Sequence, residues 1–202
     1  MNILQICIDE RAERPGLLVH SHVITNGFDS NLNLDTKVII FCSKFGRMVS
    51  ARNVFDKMRD RNIVSWTAMI SGYVKGGCYE DGLMVFLGMR QAGFRANQFG
   101  YASALRACTG LRCFEVGNQI QGCIAKGRFA ENLFVQSALV DFHSKCGKIE
   151  DVLCLFEEMS VRDLVSWNAM IGSYAVQGFA GDSLRMFHSM MKEGECLKWL
   201  KF

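Results

Sequence analysis

One stretch of this chain occurs twice: Ile63-Val64-Ser65-Trp66-Thr67-Ala68-Met69-Ile70 returns as Leu164-Val165-Ser166-Trp167-Asn168-Ala169-Met170-Ile171. The two stretches lie 101 residues apart, and the same offset aligns the two halves of the 202-residue sequence without a gap. In the first stretch, Trp66, Met69 and Ile70 have the spacing of one face of an α-helix. A period of this length indicates stacked helical repeats, so it decides the architecture.

The composition is that of a helical protein with a sizeable buried core. Half of the residues are hydrophobic and the chain has one proline, which argues against a disordered chain. The formal net charge of +3 permits an anionic partner but does not require one. No apolar run reaches the ~18 residues of a membrane span, so we expect no membrane partner.

The titratable residues suggest neither a metal site nor a catalytic site. The nine cysteines are odd in number and none has the C-x-x-C spacing, which predicts reduced thiols. Cys7 and Cys108 are period partners, that is, they lie 101 residues apart at equivalent positions of the two periods. This favours buried core residues over metal ligands. His20 and His22 lie on different faces of a helix without an acidic or cysteine partner, so a metal site is not expected there. P-loop, GxGxxG and GxSxG motifs are absent, and we predict no cofactor and no enzymatic activity.

Each period divides into three helical hairpins of 35, 35 and 31 residues. In the clearest unit, 63–97, a glycine pair at Gly76 breaks the first helix, and Leu83 and Phe86 mark the second. Two antiparallel helices of about 12 residues cannot bury both faces alone, so units must stack. Tetratricopeptide repeats are the main alternative, but they have a Leu-Gly pair and a tyrosine after the first tryptophan, which Trp66 lacks.

Several motifs resemble the pentatricopeptide repeat of land plants, in its PLS subclass. The P-type similarity lies in Val165–Tyr174 with Leu184, Phe187 and Met190. The S-type similarity lies in 132–141 with 144–147 and 156–159. The L-type similarity lies in 103–108 with Gly117. The resulting division is a partial L-type repeat 1–31, S-type 32–62, P-type 63–97, L-type 98–132, S-type 133–163, P-type 164–198 with an atypical end, and a tail 199–202. No deaminase signature, H-x-E with C-x-x-C, is present.

The resemblance implies an all-α fold, an α-α superhelix of helix-turn-helix repeats whose first helices line a groove for single-stranded RNA. One base is then read per repeat by two or three side chains. In the family, the fifth and last residues of a repeat select the base, and the second residue sandwiches it. When these family positions are transferred to this sequence, the base-reading residues are Thr36, Asn62, Thr67, Asn97, Asn132, Ser137, Asp163 and Asn168. The base-sandwiching residues are Val64, Phe134 and Val165.

The two threonine–asparagine pairs are predicted to read adenine. Thr36 pairs with Asn62, and Thr67 pairs with Asn97. A hydroxyl and an amide together supply the donor and the acceptor that the Watson–Crick edge of adenine requires. The family pattern gives the same assignment.

The remaining repeats receive different assignments. Ser137 with Asp163 is predicted to read guanine, because an ionised carboxylate only accepts and guanine presents two donors. Asn168 favours a pyrimidine by resemblance. The pair Ala102 and Asn132 is assigned no base, because Ala102 has no polar side-chain atom. The predicted target is 5′-A-A-N-G followed by a weaker pyrimidine preference.

Two structural alternatives stand beside these assignments. The last residue of each unit precedes a helix, so Asn62, Asn97, Asn132 and Asp163 are also candidate N-caps, a role that would compete with base reading. The basic residues Lys44, Lys145, Arg61 and Arg162 could contact phosphate, or could serve as charges at helix C-termini. Trp66 and Trp167 are expected in the core, not as stacking platforms.

The resemblance implies a function in organellar RNA processing or modification, as a specificity element in C-to-U editing. The implied partners are single-stranded RNA and other RNA-editing or processing proteins. The implied compartment is the mitochondrion or the chloroplast, although the N-terminal residues do not resemble a transit peptide. The alternative function is a helical scaffold that binds proteins and has no RNA role.

Overall fold

The regular structure is α-helical in the computed structural model, which describes residues 3–16, 18, 21, 32–127 and 129–193. In chain order the helices are α1 (Ile3–Asp9), α2 (Leu32–Lys44), α3 (Met48–Lys57), α4 (Ile63–Lys75), α5 (Tyr79–Gln91), α6 (Gln98–Leu111), α7 (Phe114–Ala125), α8 (Leu133–Lys145), α9 (Ile149–Glu158), α10 (Leu164–Val176) and α11 (Ala180–Lys192). They fall into two compact units, Met1–Ser103 and Ala104–Phe202. His20, His22, Cys196, Lys198 and the tail 199–202 lie outside the described residues.

Within the first unit, α2 packs against α3 and α4, and α4 packs against α5. The predicted break after α4 is present: Gly76 caps the helix and Gly77 has a φ of +79°, a conformation that glycine adopts without strain. Trp66 is 7% exposed and meets the Phe55 ring edge-on at 4.7 Å. The prediction that this tryptophan belongs to the core is confirmed.

The second unit repeats this packing. Here α8 packs against α9 and α10, and α10 packs against α11. Trp167 is 2% exposed and meets Phe156 edge-on at 4.8 Å, which confirms the second core tryptophan. Gly117 on α7 lies so close to Phe142 on α8 that a β-carbon would come within 2.1 Å of the ring. A glycine is therefore required for the approach of these two helices.

The arginines of the two short units bind helix ends. Arg61 lies 4.7 Å above the Phe55 ring, and its Nε donates to the Phe55 carbonyl at 3.2 Å. Arg162 lies 4.7 Å above Phe156 and donates to the carbonyl of that residue at 3.1 Å. Both carbonyls belong to the last turn of a helix, where the backbone N–H groups that would continue the helix are missing as donors. The structure thus favours the helix-terminal role over phosphate contact for this pair.

None of the described cysteines forms a disulfide bond. Cys7 and Cys108 are buried, as the period predicted. Burial raises the pKa of Cys42 to about 11 and that of Cys108 to about 12, so both thiols are protonated at neutral pH. The described residues contain no cluster of three or more histidine, cysteine or acidic side chains that could hold a metal ion. None of the described helices has both the length and the apolarity of a transmembrane segment.

The two copies of the period differ in burial at the last helix. Leu83 and Phe86 on α5 are 8% and 1% exposed. Their period partners on α11, Leu184 and Phe187, are 62% and 43% exposed. Phe86 meets Tyr101 of the following helix at 6.1 Å, so the same residue types are core in one copy and surface in the other.

Candidate nucleic-acid interface

Two of the predicted base-reading residues form capping boxes at the starts of α4 and α10. The Oδ1 of Asn62 accepts from the Ser65 amide at 2.8 Å, and the Ser65 hydroxyl accepts in return from the Asn62 amide at 3.1 Å. Asp163 and Ser166 repeat the arrangement at 2.9 and 3.1 Å. Capping uses one side-chain oxygen of each residue. The second polar atom, Nδ2 of Asn62 or Oδ2 of Asp163, is not used by the cap.

Asn97 combines a cap and a side-chain pair. Its Oδ1 accepts from the Gly100 amide at 2.9 Å and from the Thr67 hydroxyl at 3.3 Å. Within the described residues its Nδ2 group has no hydrogen bond, so two amide donors remain. The structure thus brings together the fifth and last residues of unit 63–97.

In the two short units the fifth residue is buried. Thr36 is 6% exposed, and its hydroxyl donates to the Leu32 carbonyl. The Nδ2 of Asn62 approaches the Thr36 oxygen at 3.5 Å, so this pair is also in contact. Ser137 is 3% exposed, and its hydroxyl has no hydrogen bond in the described part of the chain. In these units the last residue, Asn62 or Asp163, is therefore more accessible than the fifth.

The remaining two assigned readers differ from this pattern. Asn132 makes no side-chain cap, and its Oδ1 is buried without a hydrogen bond among the described residues. Asn168 is exposed on α10, but its predicted companion Lys198 lies outside the described residues.

A cavity of about 420 Å³ opens in the first unit between α2, α4 and the start of α6. Thr67 and Asn97 both line it, together with Val64, Phe99 and two lysines. The complete lining is Ile40, Ser43, Lys44, Val64, Thr67, Ala68, Ser71, Gly72, Lys75, Asn97 and Phe99. The one predicted reading pair whose hydroxyl is not buried thus faces an open space.

The predicted sandwiching residues are exposed apolar side chains. Val64, Phe134 and Val165 are 50%, 57% and 43% exposed. Phe99 is 48% exposed and shares the cavity with Val64. Sequence reasoning missed Phe99, although it is the second residue of unit 98–132 and the rule applied to the other units selects it.

Two lysines supply the positive charge of this cavity. Lys44 and Lys75 stand in the last turns of α2 and α4 and line its wall. Neither has an ion pair within the described ranges. Lys145, the period partner of Lys44, is paired with Asp141 at 3.0 Å. Two positive charges without an ion pair among the described residues therefore line the same cavity as the Thr67–Asn97 pair.

A second, polar cavity of about 470 Å³ lies in the second unit between α7, α8 and α9. His143, which is 3% exposed, places Nε2 at 2.9 Å from Gln121 and Nδ1 at 3.4 Å from the Asp151 carboxylate. Burial lowers the pKa of His143, against the opposing effect of Asp151. The one sequence signal for these contacts is that His143 stands where the first period has Cys42.

These paired helices, with a polar cap before the first helix of a repeat, are those of an α-α repeat protein. A sequence model described as the PPR repeat matches residues 36–63, 64–94, 137–164 and 165–195, more than half of the chain. The chain therefore belongs to the pentatricopeptide repeat family. The matched ranges leave out the whole of the predicted L-type unit 98–132.

The chain is similar to longer plant proteins of this family. It is 42% identical over 195 residues to the pentatricopeptide repeat-containing protein At3g20730 of Arabidopsis thaliana, covering 96% of this chain and 34% of that protein. It is 38% identical to the putative pentatricopeptide repeat-containing protein At3g13770, mitochondrial, of the same plant, covering 95% and 31%. The chain thus spans about a third of the length of these two relatives. Their names describe proteins that contain pentatricopeptide repeats.

Among solved structures, the fold is similar to that of the pentatricopeptide repeat protein PPR10 in complex with an 18-nt psaJ RNA element. The TM-score is 0.75 at 19% identity, covering 90% of this chain and 28% of that one. The predicted fold class, an all-α solenoid of helix-turn-helix pentatricopeptide repeats, is confirmed.

Proposed function

We propose that this chain is a sequence-specific single-stranded RNA-binding module in which each repeat contacts one base. The observation that carries the proposal is the Thr67–Asn97 pair. Its two residues are hydrogen-bonded to each other and line an open cavity together with two exposed apolar side chains and two lysines. The lining is mainly apolar and has Thr67, Asn97 and the two lysines among its polar groups, a combination that fits the face of a base together with its edge and the adjoining phosphates.

The hydrogen bond inside this pair sets the order of donors and acceptors. The Thr67 hydroxyl donates its proton to Asn97 Oδ1, so the Thr67 oxygen is left as an acceptor and Asn97 Nδ2 as a donor. Adenine matches this order, because its N6 amino group donates and its N1 accepts. Guanine and uracil would place an N–H group against Nδ2. Cytosine presents the same order as adenine, and the choice of adenine over cytosine follows the family pattern.

In the short units the last residue carries the choice of base. Asn62 Oδ1 is occupied by the cap, which leaves the Nδ2 donor for N1 of adenine. Asp163 Oδ1 is occupied in the same way, which leaves the Oδ2 acceptor for the N1–H and N2–H donors of guanine. Asn168 is proposed to face a pyrimidine, and Asn132 no particular base. The proposed register remains 5′-A-A-N-G, with unit 32–62 at the 5′ end.

The flanking residues supply the sequence-independent contacts. Val64 and Phe99 are proposed to hold the base of unit 63–97 between them, and Phe134 and Val165 to do the same in later units. Lys44 and Lys75 are proposed to contact the phosphates on either side of that base. Such contacts position the strand without reading its sequence.

The cellular role is proposed from the family. The solved PPR10 complex contains RNA, and the names of two relatives place them in the mitochondrion. We place this chain in the PLS subclass, with the repeat division given above, acting as a specificity factor in C-to-U editing in the mitochondrion or chloroplast. Editing would then require partner proteins that supply the chemistry.

Salt-dependent binding tests the proposal. Fluorescence anisotropy with a labelled single-stranded RNA containing AAUG should show binding at low salt and weaker binding to GGUA. The double variant Lys44→Ala, Lys75→Ala should weaken binding to both oligonucleotides by the same factor. It should also reduce the slope of log K against log salt concentration by about 1.4, or ~0.7 for each lost phosphate contact. Lys57→Ala, an exposed lysine at the end of α3, is the matched control. A folded chain that binds no RNA at low salt would instead support the protein scaffold.

A further inference from the structure

One hydroxyl in the lining of the cavity belongs to a pair that base reading does not use. The Oγ atoms of Ser71 on α4 and Ser103 on α6 lie 2.8 Å apart. Ser71 is among the residues that line the cavity, and Ser103 is not. Neither hydroxyl makes another hydrogen bond within the described residues. A pair of hydroxyls shares one proton, so one proton and several lone pairs remain for a third group.

The hydroxyls of two buried threonines are used differently from that of Ser71. Thr36 and Thr109 point their hydroxyls back to the carbonyl four residues earlier, at Leu32 and Leu105. That bond is the ordinary use of a hydroxyl inside a helix. Ser71 does not make it, because its hydroxyl is directed to the neighbouring helix.

The position of Ser71 along α4 falls between the base-reading residue and a lysine. Thr67, Ser71 and Lys75 succeed each other at intervals of four, so they share one face, and all three line the cavity. At 1.5 Å of rise per residue, Ser71 lies about 6 Å along the helix from each of the other two. In a nucleotide the ribose lies between the base and the phosphate. A nucleotide with its base edge at Thr67 and a phosphate at Lys75 therefore has its ribose beside Ser71.

We propose that Ser71, held by Ser103, hydrogen-bonds the ribose 2′-hydroxyl and makes unit 63–97 select RNA over DNA. The 2′-hydroxyl donates and accepts, so it can bond to the Ser71 hydroxyl whichever serine donates within the pair. The proposal rests on the proposed RNA-binding function and adds a sugar-reading residue to it. The second P-type unit lacks this device, because the period partner of Ser71 is Gly172 and that of Lys75 is Val176.

Single 2′-deoxy substitutions in the AAUG oligonucleotide test this assignment with the full chain. A 2′-deoxy sugar at the second adenosine should weaken binding about threefold to tenfold, the effect of one neutral hydrogen bond. A 2′-deoxy sugar at the nucleotide after the guanosine, opposite unit 164–198, should leave the affinity unchanged. Equal weakening at both positions would refute the assignment, since it would reflect a general change in the strand.

Two serine variants separate sugar reading from helix packing. Ser71→Ala should bind the all-ribose oligonucleotide as weakly as wild type binds the substituted one, and should no longer distinguish the two. Ser103→Ala loses the same bond between helices but keeps the Ser71 hydroxyl, so it should still distinguish them. If Ser71→Ala remains sensitive to the 2′-deoxy sugar, sugar reading by Ser71 is wrong while RNA binding stands. Absence of any RNA binding by the folded wild type overturns both.

Discussion

Replacing Asp163 by asparagine should change the base read by unit 133–163 from guanine to adenine without loss of stability. The cap at the start of α10 needs only one side-chain oxygen, which accepts from the Ser166 amide at 2.9 Å. Asparagine offers the same oxygen, and Asn62 makes the same bond at 2.8 Å one period earlier. Aspartate and asparagine are similar N-caps, so the free energy of unfolding should change by less than about 0.5 kcal/mol.

The effect on binding should be much larger. The substitution replaces the second oxygen, a charged acceptor, by an amide donor that faces the N1–H of guanine. Hydrogen bonds to charged groups contribute about 1.5–3 kcal/mol, which corresponds to a loss of about 10- to 150-fold for AAUG. Binding to AAUA should strengthen over the same comparison. Asn62→Asp should do the reverse at the first base, favouring GAUG over AAUG.

Competition anisotropy with these oligonucleotides, together with urea unfolding, measures both effects. Asp163→Ala is the control, because it removes the cap and the reader together and should cost about 1 kcal/mol of stability. If Asp163→Asn keeps the preference for guanine, this residue does not read the base. If it destabilises the chain as much as alanine does, the division of labour between the two oxygens is refuted.

Three further expectations concern the fold. Leu83→Ala should cost about 2–5 kcal/mol in urea unfolding, whereas Leu184→Ala, at its exposed period partner, should cost less than about 1 kcal/mol; similar losses would contradict the burial difference. Burial holds the pKa of His143 below its ordinary 6.5, so the histidine of the unfolded chain is protonated at a higher pH than that of the folded chain. Wild type should therefore lose more stability than His143→Gln as the pH falls below 6.5, and parallel profiles of unfolding free energy against pH would refute this. Gly117→Ala should destabilise the chain by about 1–3 kcal/mol, whereas Gly122→Ala on the same helix, with open space around it, should stabilise it by about 0.5–1 kcal/mol; equal effects would contradict the close contact.

The features that sequence reasoning predicted depend on local chemistry or on the period. Trp66 and Trp167 repeat within an apolar helix face, and such a face must be buried wherever helices stack. Asn62 and Asp163 cap helices because short polar side chains before a helix satisfy its free amides. Both kinds of inference need only the spacing of residues within one hairpin.

The features that it missed depend on how neighbouring helices rotate against each other. Thr36 and Thr67 hold the same position in their units, yet the first is buried and the second lines a cavity. Ser71 meets Ser103 across two helices, and His143 joins three. No periodicity in the sequence encodes such contacts, because they are set by the packing of whole units.

The caps explain how such a chain can vary its target without changing its fold. Asparagine and aspartate share the capping oxygen and differ in the other polar atom, so Asn62 and Asp163 start equivalent helices while offering a donor or an acceptor. A change between the two leaves the helix start and its packing intact but reverses the hydrogen bond offered to a base. Stability and specificity then reside in different atoms of one side chain. Under the proposed function, selection on the RNA target can act at these positions with little effect on folding, whereas a smaller residue in place of Trp66 or Trp167 costs stability.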